Sequence, residues 1–308
     1  MKNKQNDAVS NVINTALSKI PGISLKLDEP LRNYTSFKIG GPVRVMFFPE
    51  NIQCMVELCD IISEFDKTPF VMGNGSNILA SDSEHDIIVI NTSKLDRIER
   101  TGQFELTAEA GALLSKIALF ANENGLSGLE FAHGIPGTLG GAVVMNAGAY
   151  DGEMSDVVCS SVVYCSNIGL CTLTASDHEF AYRHSRLLSS DYIVLSSILR
   201  LTEGVKTVIK SRMDELAVRR RESQPLEFPS GGSTFKRPGE GYAAALIEQA
   251  GLKGYTVGGA QVSKKHAGFV INRGDAEFAD VMAVIEHVRE VVYKNFGVEL
   301  ELELKIIL

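Results

Sequence analysis

The first apolar pattern along the chain has helical spacing. Val9, Val12, Ile13, Ala16, Leu17 and Ile20 recur at short intervals, and Pro21-Gly22 ends the run. Residues 43–48 read as a strand, 53–65 as an amphipathic helix and 87–90 as a short buried strand. This alternation of strand and helix is that of α/β architecture. Residues 104–110 alternate as a strand, and 113–124 read as a helix closed by Gly125. Segments 157–173 and 192–201 carry the β-branched richness of strands, so this part reads as α+β. Helical spacing returns with Val205, Ile209, Met213 and Leu216, followed by a proline- and glycine-bearing loop at 224–238. Helices are expected at 242–250 and 278–296, the latter closed by Gly297. The last stretch, 298–307, sets Val298, Leu300, Leu302, Leu304 and Ile306 against Glu299, Glu301, Glu303 and Lys305, the signature of a half-buried strand.

A chain of 308 residues exceeds what one hydrophobic core usually holds. The pattern changes near residue 203, so a separate C-terminal domain is expected from 204. Composition narrows the class. Apolar residues make up 44% and charged residues 22%, which is globular, and the net charge of -8 argues against a nucleic-acid-binding protein. No apolar run is long enough to span a bilayer, and no secretory h-region follows the N-terminus. The five cysteines, Cys54, Cys59, Cys159, Cys165 and Cys171, contain no CxxC pair. A zinc site or disulfide framework is therefore not expected, and reduced cysteines in a cytoplasmic protein are.

Two segments carry more glycine than packing requires. One is Gly73-Asn74-Gly75-Ser76-Asn77, directly after an apolar triplet. The other runs Gly134-Ile135-Pro136-Gly137-Thr138-Leu139-Gly140-Gly141 and continues into Met145-Asn146-Ala147-Gly148-Ala149-Tyr150. Glycine admits positive φ and lets a ligand approach the backbone. Successive N–H groups can then cradle an anion, with Ser76 and Thr138 adding hydroxyls. Either loop alone is also explained as a tight turn. Two loops in one chain suit a ligand with two phosphates. Neither fits the Rossmann or the P-loop glycine pattern.

With these motifs the chain resembles the UDP-N-acetylenolpyruvoylglucosamine reductase family over residues 31–307. The resemblance rests on Thr35-Ser36-Phe37-Lys38-Ile39-Gly40-Gly41, on both glycine loops, and on Tyr182-Arg183-His184-Ser185. Gly231-Gly232-Ser233-Thr234-Phe235-Lys236, Lys265-His266-Ala267 and Leu300-Glu301-Leu302-Glu303 complete it. It implies a multi-domain α+β / α/β fold of the vanillyl-alcohol-oxidase (PCMH-like) FAD-binding type, with a two-part flavin domain and a C-terminal α+β substrate domain. The parts are expected at 1–88, completed by a strand at 298–308, at 89–203 and at 204–297. The short connection between Arg183 and the strand near Tyr192 resembles the type II subgroup.

The resemblance also implies the chemistry. NADPH reduces non-covalently held FAD, the enolpyruvyl ether of UDP-N-acetylglucosamine accepts hydride at C3, and protonation at C2 gives UDP-N-acetylmuramate, a peptidoglycan precursor. Arg183, Ser233 and Glu303 match the family's catalytic positions: a cation for the substrate carboxylate, the acid at C2, and a carboxylate beside them. Cofactor contacts are expected from Gly73, Asn74, Gly75, Ser76, Asn77, Gly134, Ile135, Gly137, Thr138, Gly140, Gly141 and Arg220. Substrate contacts are expected from Tyr182, Lys236, Arg237, Lys253 and His266. Arg237 replaces the commoner Asn and Asp151 the commoner Gly. Read without the resemblance, Arg183 is an ordinary ion-pairing residue, Ser233 satisfies a turn, and Glu299, Glu301 and Glu303 are equivalent. No metal, nucleic acid or membrane partner is expected, and the expected state is a monomer. The alternatives are a flavin oxidase of the same superfamily and a non-catalytic flavin or UDP-sugar binding protein.

Overall fold

The computed structural model describes residues 2–239 and 241–308. Met1, where the segment read for a leader begins, and Glu240 lie outside the described residues. The chain forms two compact units. One comprises Met1–Asp28, Arg44–Asn74 and Asp86–Ala217, the other Glu29–Val43, Gly75–His85 and Val218–Leu308.

The first unit holds two cores. In one, the helix Lys2–Lys19 and the helix Ile52–Glu64 cover a four-stranded sheet ordered Ser24–Pro30, Pro42–Phe48, His85–Asn91, Phe70–Met72. Val9, Val12 and Ala16, the periodic positions of the first helix, are buried with Val45, Phe47, Leu58, Ile62, Ile88 and Ile90. Asn51 starts the second helix by accepting a hydrogen bond from the Cys54 N–H at 2.9 Å. The Cys59 thiol is buried here, and desolvation, followed by the nearby Asp60 charge, pushes its pKa up to about 12. It is an inert core group.

The other core lies under an antiparallel five-stranded sheet ordered Gly169–Thr174, Val158–Cys165, Ile193–Arg200, Glu105–Glu109, Ile98–Arg100. The helices Leu114–Glu123 and Leu139–Val144 supply Leu114, Ile117, Ala118, Leu139 and Val143 to it. The β-branched segment 157–173 is a hairpin, turning just before Gly169, whose φ of +79° suits glycine.

In the second unit the helices Ala243–Gln249 and Phe278–Phe296 share a core with a sheet of Thr256–Val257, Ala260–Val262 and Val270–Asn272. The long helix buries Val281, Val284, Ile285, Val288 and Val292 on one stripe. Gly297 ends it in the left-handed region at φ +67°. Phe37, Ile39 and Leu79 join this core from early in the chain.

The alternating stretch 298–307 is not one continuous strand. Only Lys305–Ile307 forms a ladder, parallel to Ile78–Ala80, and Leu302 makes an isolated bridge to Phe235. The reason is a change of partner. Glu303 N–H donates to the Thr234 carbonyl at 2.9 Å, whereas Lys305 N–H donates to the Asn77 carbonyl at 2.9 Å. The segment leaves one neighbour and joins another within two residues. Among the described residues no helix is long and apolar enough to cross a membrane.

Candidate active site

The two glycine-rich loops meet within the first unit. The Asn74 side-chain amide donates to the Pro136 carbonyl at 2.7 Å. A Cβ on Gly73 would stand 2.0 Å from Thr138 Oγ1, so only glycine lets the loops close on each other. Asn74, Pro136 and Gly141 are exposed, which leaves a side-chain-poor surface along the junction. These residues fit a group anchored through backbone and small side chains.

Not every N–H of the second loop is open to a ligand. Ile135 N–H donates to the Ala132 carbonyl, Leu139 to Ala112 and Gly140 to Ala110, at 3.0, 2.9 and 2.8 Å. Those donors are spent inside the protein. Gly140 also has a packing reason to be glycine, since its Cβ would lie 3.0 Å from the Ala110 Cβ. In the second unit Gly75 adopts φ +57° and its carbonyl accepts from Ser36 N–H. The Asn77 amide is spent on the Glu303 carbonyl at 2.9 Å, so this residue fastens the C-terminal segment.

Arg183 lies in the first unit at the tip of a tight turn. Ala181 and His184 exchange backbone hydrogen bonds at 3.0 Å in both directions, and Arg183 takes φ +51°. Its Nη2 donates to the Gly148 carbonyl at 2.9 Å, and its guanidinium lies 5.1 Å from the Tyr182 ring centroid. Gly148 begins a two-residue-loop hairpin, paired Gly148 to Glu153 and Ala149 to Gly152. Tyr150 and Asp151 form its loop at φ +52° and +65°. Aspartate tolerates the left-handed region, so Asp151 suits this loop. His133 is half-buried; desolvation and then the Lys210 charge hold its pKa below the usual histidine value.

In the second unit Ser233 and Glu303 lie on adjoining segments. Lys236 N–H donates to the Glu301 carbonyl, and Glu303 N–H to that of Thr234, the residue after Ser233. Thr234 is fully buried and fixes this crossing. Its N–H donates to the Gly268 carbonyl and its Oγ1 accepts from Val270 N–H at 3.0 Å. The residue-by-residue reading missed Thr234; the only sequence signal was a hydroxyl between the candidate serine and an apolar residue.

The structure separates residues that the sequence left equivalent. Glu299 and Glu301 are exposed and pair with Arg289 at 3.5 Å and Lys236 at 3.2 Å. Glu303 is half-buried. In the arginine run, Arg219 and Arg221 are exposed and Arg220 is half-buried. Of the expected substrate contacts, Arg237 is exposed with its guanidinium 4.4 Å from the Tyr242 ring centroid, and Lys253 pairs with Glu248 at 2.6 Å. His266 Nδ1 accepts from Gly268 N–H at 3.2 Å. Burial, helped by the Lys253 charge, holds the His266 pKa below the ordinary value.

Residues 43–167 match the FAD binding domain, and residues 224–307 match the C-terminal domain of UDP-N-acetylenolpyruvoylglucosamine reductase. The chain is 48% identical to the UDP-N-acetylenolpyruvoylglucosamine reductase of Caldanaerobacter subterraneus subsp. tengcongensis, covering 92% of this chain and 93% of the relative. Against the Agathobacter rectalis protein of that name it is 46% identical, covering 96% and 98%. The crystal structure of the reductase from Thermus caldophilus superposes with a TM-score of 0.79 at 32% identity, covering 93% of this chain and 99% of that one.

Proposed function

The chain belongs to the UDP-N-acetylenolpyruvoylglucosamine reductase family of FAD-dependent oxidoreductases, and from that premise we propose that it uses NADPH to convert UDP-N-acetylglucosamine enolpyruvate into UDP-N-acetylmuramate for peptidoglycan synthesis. FAD, when bound, supplies the hydride chemistry. On this reading residues 73–77 and 134–141 hold it, with Arg220 assisting. Arg183 presents a fixed cation to the substrate carboxylate as negative charge builds there. The Ser233 hydroxyl delivers a proton to C2, supported by nearby positive charge from Lys236 and Arg237. Glu303 orients the reacting carboxyl. Tyr182, Lys236, Arg237, Lys253 and His266 bind the sugar nucleotide. We assign flavin binding to residues 1–88 with 298–308 and to 89–203, and substrate binding to 204–297, in a cytoplasmic monomer.

One observation carries this reading: of three glutamates alternating along one segment, the half-buried one is Glu303, and its N–H is bonded to the residue next to Ser233. The test is NADPH oxidation by purified protein with and without the enolpyruvyl sugar nucleotide, with oxygen uptake recorded in parallel. Oxidation that depends on the sugar nucleotide is expected. Oxidation that tracks oxygen alone would overturn the reading in favour of an oxidase.

A further inference from the structure

One fully buried polar residue near the Arg183 turn has no task in the chemistry proposed for Arg183, Ser233 and Glu303. Asn146 follows the glycine-loop helix Leu139–Val144 and is fully buried. It sits at φ +43°, a conformation that asparagine and aspartate tolerate and most residues do not. Both ends of its side chain are used. Nδ2 donates to the Ala181 carbonyl at 3.0 Å, and Oδ1 accepts from Ser155 N–H at 2.9 Å.

Ala181 is the first residue of the four-residue turn that carries Arg183, and Gly148 to Glu153 is the hairpin whose first carbonyl receives the Arg183 guanidinium. Asn146 thus bonds to the base of the arginine's turn and to a residue just past that hairpin. The other end of the turn is also tied down. Ser185 is fully buried and its Oγ donates to the Val144 carbonyl at 2.7 Å. The turn bearing Arg183 is fastened at both ends to residues 144–146, the stretch that ends the glycine loop.

We propose that Asn146 is the positioning residue of Arg183: it couples the end of the glycine-rich loop to the turn that aims the guanidinium. The proposal rests on the reading that Arg183 acts on the substrate. A side-chain amide is required because one group must donate to a carbonyl and accept from an N–H. The substitution Asn146→Asp would keep the accepting arm and the backbone conformation but would set a carboxylate against the Ala181 carbonyl.

The test is a double-mutant cycle with Asn146→Asp and Arg183→Ala in the FAD-loaded enzyme, reading turnover of the enolpyruvyl substrate, flavin content and melting temperature. Asn146→Asp is expected to lower kcat on the order of 10²-fold, as small misplacements of a reacting group do. Flavin content should stay at the parent level. In the Arg183→Ala background the same substitution is expected to cost less than about twofold more, because coupled residues are non-additive. An equal penalty in both backgrounds, undiminished turnover in Asn146→Asp, or loss of flavin from it would overturn the proposal. Should Asn146→Asp fail to fold, Ser185→Ala enters the same cycle with the same expected non-additivity, and additivity there overturns the proposal. If Arg183→Ala itself leaves turnover intact, the reading of Arg183 fails rather than the positioning claim.

Discussion

The junction of the glycine loops in the first unit and the crossing of the Ser233 and Glu303 segments in the second are both made from chain remote in sequence, but they are fixed differently. At the first, missing side chains do the work: Gly73 leaves the space that Thr138 occupies, and Asn74 reaches the Pro136 carbonyl. At the second, the backbones bond directly, Thr234 to Glu303 and Glu301 to Lys236, while Thr234 Oγ1 and the Asn77 amide tighten the crossing. The first should fail when atoms are added, the second when polar atoms are removed or neutralised.

The largest effects should come from the second site. Ser233→Ala is expected to lower turnover of the enolpyruvyl substrate on the order of 10²–10³-fold, the usual cost of losing one well-placed polar group. Reduction of the flavin by NADPH should stay close to the parent rate, measured by stopped-flow absorbance. Equal slowing of both half-reactions would make Ser233 structural. Adding a methyl group tests the first site. Gly73→Ala should weaken FAD binding by about tenfold or more, since about 1.4 kcal/mol suffices for that factor. An unchanged FAD titration of Gly73→Ala would show that the loop junction is not where the flavin is held.

The contrast between the two sites also governs what could be read in advance. The glycine loops were visible because their composition is abnormal over a few adjacent residues. The helix at 278–296 was visible because Val281, Val284, Ile285, Val288 and Val292 keep one period, and Gly297 closes it. The strand break near Glu303 was not visible. Alternation reports which face is buried but not which partner lies alongside, and the partner changes between Glu303 and Lys305. For the same reason Glu303 could be told from Glu299 and Glu301 only by resemblance. The spent N–H groups of Leu139 and Gly140 were hidden because their acceptors, Ala112 and Ala110, come from a different element.

Smaller effects refine the comparison. Glu301→Gln removes an ion pair between exposed Glu301 and half-buried Lys236, and pairs near the surface contribute roughly 0–1 kcal/mol. Its melting temperature and kcat should stay close to the parent, whereas Glu303→Gln should slow turnover clearly. A matching loss in Glu301→Gln would undo the distinction between the two. The first unit offers a pH test. His178 is fully buried, with Nδ1 2.7 Å from the Thr174 carbonyl and Nε2 2.9 Å from Ser161 Oγ. Burial holds its pKa below the ordinary 6.5. The unfolded chain therefore takes up a proton first as pH falls through 6.5, and stability declines from there until the folded-state value is passed. His178→Gln should flatten the fall of melting temperature on the acid side of neutrality. An unchanged slope would show that other groups set it.

The interleaving of the two units has a consequence for synthesis from the N-terminal end. Phe37, Ile39 and Leu79 are made early, yet the remainder of their shared core begins only at Phe235. During translation these side chains must wait, uncovered, while more than half of the polypeptide is still to be added, although residues 44–74 and 86–217 already have their own partners. Late-closing contacts of this kind are the ones a nascent chain most readily loses to aggregation. Holding factors that bind exposed apolar segments would therefore find the stretches around 37 and 79 still open at that stage.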